Sequence, residues 1–104
     1  MTIFALSSGK GRAGVSVIRI SGPETFSAIL TLTKNAKKPD PRCAVLSWFY
    51  DPLTNEKLDQ GLVIFFPGPN SFTGEDVAEF HIHGGYAVVA GFLEAPSKLP
   101  NLRS

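Results

Sequence analysis

The sequence holds a single cysteine, Cys43, in 104 residues, so no disulfide can form within the chain. A domain that relies on packing alone is typical of a reducing compartment such as the cytosol or an organelle matrix. Any apolar run approaching the roughly 20 residues that span a bilayer is also missing. Residues 1–14 have neither a signal-type core nor an Arg-rich amphipathic presequence, so in an organellar protein the chain would begin after the targeting segment. We expect a soluble domain without a membrane partner.

A large excess of one charge is absent too, because ten Lys and Arg face nine Asp and Glu, for a net charge of +1. Such a chain lacks the broad basic field that drives non-specific binding to nucleic acid, and we expect no DNA partner. Hydrophobic residues at 43% against 18% charged residues exclude a disordered tail. A length of 104 residues suits one domain, and ten Gly with eight Pro predict many turns.

Hydrophobic patterning predicts several strands and two helices. Strands are expected at residues 2–6, 15–20, 44–50 and 58–66, the last two joined as a hairpin and the last one central in the sheet. The first helix is expected to begin at a capping box formed by Ser21 and Glu24 and to end near Lys34. Its predicted buried face consists of Phe26, Ile29, Leu30 and Thr33.

Residues 75–83 can be read in two ways, because a possible capping box competes with an alternation of period two. The alternation continues without a slip from Val77 to His83, and we therefore predict a strand. A second helix is expected from Tyr86 to about Ala95, ended by Pro96. The fold class predicted from this order is α+β, an α/β sandwich in which helices cover a mixed sheet.

The most obvious motif, G-x-G-x-x-G at residues 9–14, follows a strand as in dinucleotide-binding proteins. That site needs a helix N-terminus directly after the glycines to receive the phosphates, whereas residues 15–20 form a β-type run. We interpret the motif as a flexible turn. No G-x-x-x-x-G-K-[ST] sequence is present, so these residues do not predict a P-loop.

Glu79, His81 and His83 share one face of the predicted strand and offer three potential metal ligands. Only two alternate ligands on one strand usually reach the same ion, so a hydrogen-bonded polar face is the other interpretation, and we assign no metal. Cys43 is interpreted as a small packed residue rather than a nucleophile. No catalytic residue is predicted.

Two charges, Arg19 and Glu79, are embedded in otherwise apolar strands beside Gly-rich loops. Such a pair can be a structural salt bridge. It can also be a ligand site, because a carboxylate accepts parallel hydrogen bonds from a ring with adjacent N–H and NH₂ groups while Arg engages a carbonyl or carboxylate. A pterin has that ring edge, and folate supplies the second group.

Longer motifs resemble the N-terminal domain of the tRNA modification GTPase family MnmE, also called TrmE. The resemblance covers residues 1–104 and is carried by residues 11–22 (GRAGVSVIRISG), 66–79 (FPGPNSFTGEDVAE), 83–85 (HGG) and 58–61 (LDQG). Residues 4–8 (FALSS) are more similar to mitochondrial members than to bacterial ones.

The resemblance implies a fold similar to folate-dependent one-carbon proteins and a domain that homodimerises. It also implies that 5-formyltetrahydrofolate or a related tetrahydrofolate binds near the dimer interface, contacted by Arg19 and Glu79. The parent protein would add a helical domain and a GTPase domain that uses GTP, magnesium and potassium. It would modify the wobble uridine of tRNA with an MnmG-type flavoprotein, in the mitochondrial matrix or, alternatively, in the bacterial cytoplasm.

Two alternatives stay open beside this folate-binding, dimerising module. One is a purely structural dimerisation domain whose ligand site is incomplete, because further folate-contacting motifs of the family lie beyond Ser104. The other is a small metal-binding enzyme that uses Glu79, His81 and His83. The resemblance assigns GTP hydrolysis to a domain outside residues 1–104.

Overall fold

A computed structural model describes residues 2–6, 15–34, 39–71, 73–83, 90–92, 94, 102 and 103. The elements with defined bounds are β1 Thr2–Leu6, β2 Val15–Ser21, α1 Thr25–Leu32, β3 Val45–Tyr50, β4 Lys57–Phe66, β5 Val77–His83 and β6 Leu102–Arg103. Residues 90–92 and 94 are also helical. All five strands expected from the sequence form, within one or two residues of the expected bounds.

These strands build one sheet of six strands in the order β3-β4-β5-β2-β1-β6. The first five are antiparallel to their neighbours, and only the short β6 runs parallel, along β1. The expected hairpin of β3 and β4 is confirmed, and β4 lies between two other strands as its apolar character predicts. In the described part of the chain, an antiparallel sheet with few helices therefore dominates the domain.

One face of the sheet carries the hydrophobic core. Alternate residues of the central strands point to it and are fully buried, among them Ile18, Ile20, Val63 and Phe80. The rings of Phe49, Phe80 and Phe92 meet there in pairs with centroids 5.3 to 5.4 Å apart. Helix α1 packs on this face, and we call the opposite one the far face.

The beginning of α1 differs from the sequence prediction. Ser21 belongs to β2 and its hydroxyl shares a hydrogen bond with that of Thr73 at 2.8 Å, while the N-cap residue, Glu24, makes no side-chain cap bond. The predicted capping box is therefore wrong. The hydroxyl of Thr25 donates to the carbonyl of Gly22, the residue after β2, and so holds the first turn of the helix.

The buried face of α1 is turned relative to the predicted one, because Thr25 is held inward at its start. The residues that this face buries within the helix are Thr25, Ala28, Ile29 and Leu32. Phe26, expected in the core, is only partly buried and packs beside Phe65 at a ring distance of 5.2 Å.

The ambiguous stretch before the second helix is a strand, as the alternation predicts. Residues 90–92 are helical and Phe92 is buried, in line with the expected helix, whereas its predicted ends at Tyr86 and Pro96 lie outside the described residues.

Cys43 is exposed, so its interpretation as a packed residue is wrong. None of the helices in the described ranges is long and apolar enough to cross a membrane.

Candidate functional site

Arg19 and Glu79 meet at the centre of the sheet. β2 and β5 are antiparallel neighbours, and their register places these two residues directly opposite each other on the far face. Arg19 Nε donates to Glu79 Oε2 at 2.9 Å, and Nη2 lies 2.8 Å from the same oxygen. The Glu79 side chain is only 10% exposed and that of Arg19 is 41% exposed, so the carboxylate is enclosed while the guanidinium reaches the surface.

His81 completes a chain of three polar side chains. Two residues along β5, it lies on the same face as Glu79, and its Nε2 is 3.0 Å from Glu79 Oε1. The carboxylate therefore has a protein partner on each oxygen. The sequence predicts His81 on the same strand face as Glu79, but the contact between them depends on side-chain orientation that the alternation does not reveal.

Opposing influences act on the Glu79 carboxyl. Burial by itself raises its pKa, but the hydrogen bonds from His81 and Arg19 and the charges of both side chains outweigh it. The pKa of Glu79 therefore lies below its ordinary value of 4.5, and the group is an anion at neutral pH. An enclosed anion that retains its charge can orient ligand N–H groups.

The three residues considered as metal ligands do not converge on one point. His81 turns toward Glu79, whereas His83 Nδ1 lies 3.0 Å from the carboxylate of Asp59, which also accepts the His83 backbone N–H. Within the ranges that the structure describes, no group of three or more His, Cys, Asp or Glu side chains is arranged to hold a metal ion.

The two sequence motifs around the site are joined by hydrogen bonds. The backbone N–H of Gly22 and the hydroxyl of Thr25 both donate to the carbonyl of Asp76, at 3.0 Å each. Asp76 Oδ1 in turn accepts the backbone N–H of Gly68 at 2.9 Å. Asp76 thus ties the loop after β4 to the turn before α1, a role that its position in the motif did not reveal.

The glycine motif at residues 9–14 lies outside the described residues. The chain that follows it is strand β2, not a helix. The described structure therefore offers no helix N-terminus directly after the glycines, which is what a Rossmann-type phosphate site requires.

Comparison with known proteins gives consistent matches. The model of the family described as GTP-binding protein TrmE N-terminus matches residues 2–103. The chain is 55% identical over 102 residues to the mitochondrial 5-taurinomethyluridine-tRNA synthase subunit GTPB3 of Danio rerio and, over 102 residues, 55% identical to its Homo sapiens counterpart. It is also 55% identical over 103 residues to the tRNA modification GTPase MnmE of Parvibaculum lavamentivorans. These alignments cover 98 to 99% of the chain but only 20 to 23% of each relative, so the chain spans about a fifth of their length.

Proposed function

Because the chain belongs to the family of GTP-binding protein TrmE N-termini, we propose that it is the tetrahydrofolate-binding and homodimerisation module of a tRNA modification GTPase. The observation that carries the ligand role is the Arg19–Glu79 pair, an enclosed carboxylate beside a guanidinium that reaches the surface. The ligand class is 5-formyltetrahydrofolate or a related tetrahydrofolate, which supplies a one-carbon unit when bound.

The residues present fit a folate head group through an exchange of partners. A carboxylate offers about four lone-pair directions, and here Arg19 takes two contacts on one oxygen while His81 takes one on the other. The adjacent N–H and NH₂ groups of a pterin would replace Arg19 donors on Glu79. Arg19, freed in this way, would turn to a carbonyl or carboxylate of the ligand.

Homodimerisation is supported by the apolar character of the far face. Among the described residues, five of the six exposed large hydrophobic side chains lie on it, namely Ile3, Val15, Leu46, Trp48 and Leu62. They are 38 to 57% exposed and form two groups, one on β3 and β4 and one on β2 and β1, on either side of Glu79. Exposed apolar groups of this kind are typical of an interface. We propose that a second copy of the chain covers part of this face, next to the ligand.

The relatives and the fold also support proposals about the activity, the location and the fold class of the parent protein. Relatives named for tRNA modification and for 5-taurinomethyluridine synthesis support a parent that modifies uridine in tRNA. We propose the wobble uridine as its substrate and an MnmG-type flavoprotein as its partner, as the resemblance of the motifs to the MnmE family implies. GTP, magnesium and potassium would bind in other parts of that parent. Mitochondrial and bacterial relatives support a matrix or a bacterial cytoplasmic location.

The helical segments that pack on the core face support an α/β sandwich like that of folate-dependent one-carbon proteins.

The ligand role is tested by titrating 5-formyltetrahydrofolate into the protein in a calorimeter. We expect binding by the wild type and an affinity loss of about tenfold or more in Glu79→Gln, because charge-assisted hydrogen bonds to the ligand are lost. The matched control is Glu56→Gln, which alters an exposed carboxylate in the hairpin loop and should bind as the wild type does.

The structure also supports one alternative, a purely structural dimerisation domain in which Arg19 and Glu79 form a salt bridge and bind no ligand. A buried carboxylate with a purely structural role needs protein partners for its oxygens, and both oxygens of Glu79 have one. Absence of binding heat, or equal affinity in the wild type and Glu79→Gln, would favour this alternative and contradict the ligand role.

A further inference from the structure

A cavity of about 450 Å³ opens at the end of β4, apart from the Arg19–Glu79 pair. It is lined by Arg42, Phe66, Pro69, Asn70 and Ser71. The lining combines one guanidinium, one aromatic ring, an amide and a hydroxyl. These groups suit a ligand with an anionic part next to an apolar or aromatic part.

Arg42 is held in place on several sides. Its backbone N–H donates to the carbonyl of Phe65 at 2.8 Å, and the residue adopts a left-handed conformation with a φ of 64°. Its Nη2 donates to the carbonyl of Asn70, and the guanidinium carbon lies 5.8 Å from the centroid of the Phe66 ring. The side chain is therefore oriented before any ligand arrives.

The charge of Arg42 is not neutralised by the surrounding described residues. Among the described residues, Glu79 pairs with Arg19 and His81, and Asp59 pairs with His83. No carboxylate of a described residue pairs with Arg42. A guanidinium has five N–H donors in a planar fork that matches a carboxylate. A guanidinium that is held in place and has no carboxylate partner among the described residues can bind an anion.

The cavity and the Arg19–Glu79 pair share the far face. Phe65 turns to the core face, where its ring meets Phe26 of α1, so Phe66 points to the opposite side. Phe66 pairs with Val77, and Glu79 follows two residues later on β5, opposite Ile64. From strand geometry, the Cα atoms of Phe66 and Glu79 are about 8 Å apart.

We propose that Arg42 binds the glutamate carboxylates of the folate whose pterin head lies at Arg19 and Glu79. This inference rests on the proposed function and extends it to the other end of the ligand. The partly buried side chains of Ile64 and Phe66 lie between the two charged ends and offer an apolar surface for the aromatic ring that links pterin to glutamate. On the far face, the apolar side chains of Ile64 and Phe66 thus lie between the charged Arg19–Glu79 pair and the charged Arg42.

The test compares two probes, 5-formyltetrahydrofolate and 5-formyltetrahydropteroamide, in which a neutral amide replaces the glutamate and no carboxylate remains. We expect Arg42→Gln to weaken binding of the first by about tenfold and to leave binding of the second unchanged, because only the first has the carboxylates. The matched control is Lys34→Gln, since Lys34 also lies over an aromatic ring, at 4.5 Å from the Tyr50 centroid, and also has a positive φ. It should leave both affinities unchanged.

The outcomes separate this inference from the proposed function. Wild-type binding of folate that is unaffected by Arg42→Gln would overturn the inference and leave the proposed function standing. Equal weakening of both probes would also overturn it, because Arg42 would then act only by shaping the loop. If neither probe binds the wild type, the proposed function fails and the inference fails with it.

Discussion

Glu79 combines a stabilising role with a proposed recognition role in one side chain. It is 8% exposed as a residue, and its carboxylate is satisfied by Arg19 on one oxygen and His81 on the other. Removal of either partner would leave an enclosed charge less well compensated, which destabilises a fold. The same enclosure makes the carboxylate a strong acceptor for a ligand that can replace those partners.

The lowered pKa of Glu79 predicts how stability changes in acid. A carboxyl with a lower pKa in the folded state than in the unfolded state stabilises the fold above its ordinary value of 4.5 and loses this contribution as the pH falls through the lowered pKa. The difference in unfolding free energy between the wild type and Glu79→Gln should therefore be largest near neutral pH and shrink in acid. Denaturant unfolding at several pH values measures it, and a difference that grows as the pH falls would contradict the prediction.

The elements pack closely where β4 passes β5. Gly61 lies on the core face of β4, opposite Ser47 of β3. A Cβ atom at this position would come within 2.0 Å of the His81 carbonyl oxygen and 3.2 Å of the Phe49 ring. Only glycine permits this approach, so the spacing between β4 and the strand that carries Glu79 depends on it.

Gly61→Ala is expected to lower the free energy of unfolding by roughly 2 kcal/mol or more, because the clash is with backbone and the strands must separate. Gly91→Ala is the matched control. Gly91 is helical, and an added Cβ would meet its nearest neighbour, Leu58 Cδ2, at 4.0 Å, which is ordinary contact. Chemical denaturation of both variants checks the prediction, and equal stabilities would refute it.

At the scale of the whole molecule, the two faces of the sheet differ in how they are covered. Helix α1 and Phe92 pack on the core face, whereas the far face retains exposed apolar side chains on four strands. A second copy on the far face would bury this surface beside the proposed ligand. The ligand site and the interface would then stabilise each other through shared contacts.

Light scattering is expected to give a mass of twice 11.2 kDa for the wild type. Leu46 and Leu62 are cross-strand partners on the far face, and changing both to Lys should shift the protein toward the monomer because two charges would be buried at the interface. Leu53→Lys is the control, since Leu53 is 69% exposed in the hairpin loop. A monomeric wild type, or a double variant that stays dimeric, would contradict the proposed interface.

The local sequence predicted most of the fold and the pair at the centre of the site. Strand β5 followed from alternation alone, and Arg19 and Glu79 stood out as charges in apolar strands. The start of α1 could not be predicted in the same way. Ser21 and Glu24 match a capping box locally, but the hydroxyl of Ser21 finds Thr73, 52 positions away, and Thr25 is held by Asp76, 51 positions away. Such distant partners override a local preference for a cap.

The sequence by itself determined five of the strands, the charged residues within them and the family that the motifs resemble, because side-chain alternation and residue identity are local properties. It did not predict β6, whose two residues form a strand only by pairing with β1. The tertiary structure decided what those residues meet. The strand order places Arg19 opposite Glu79 across 60 positions. Side-chain orientation brings His81 to the same carboxylate, and loop packing leaves Arg42 beside Phe66 at the rim of a cavity. Partners so far apart in sequence are chosen by strand register and loop packing, which depend on the whole chain folding at once.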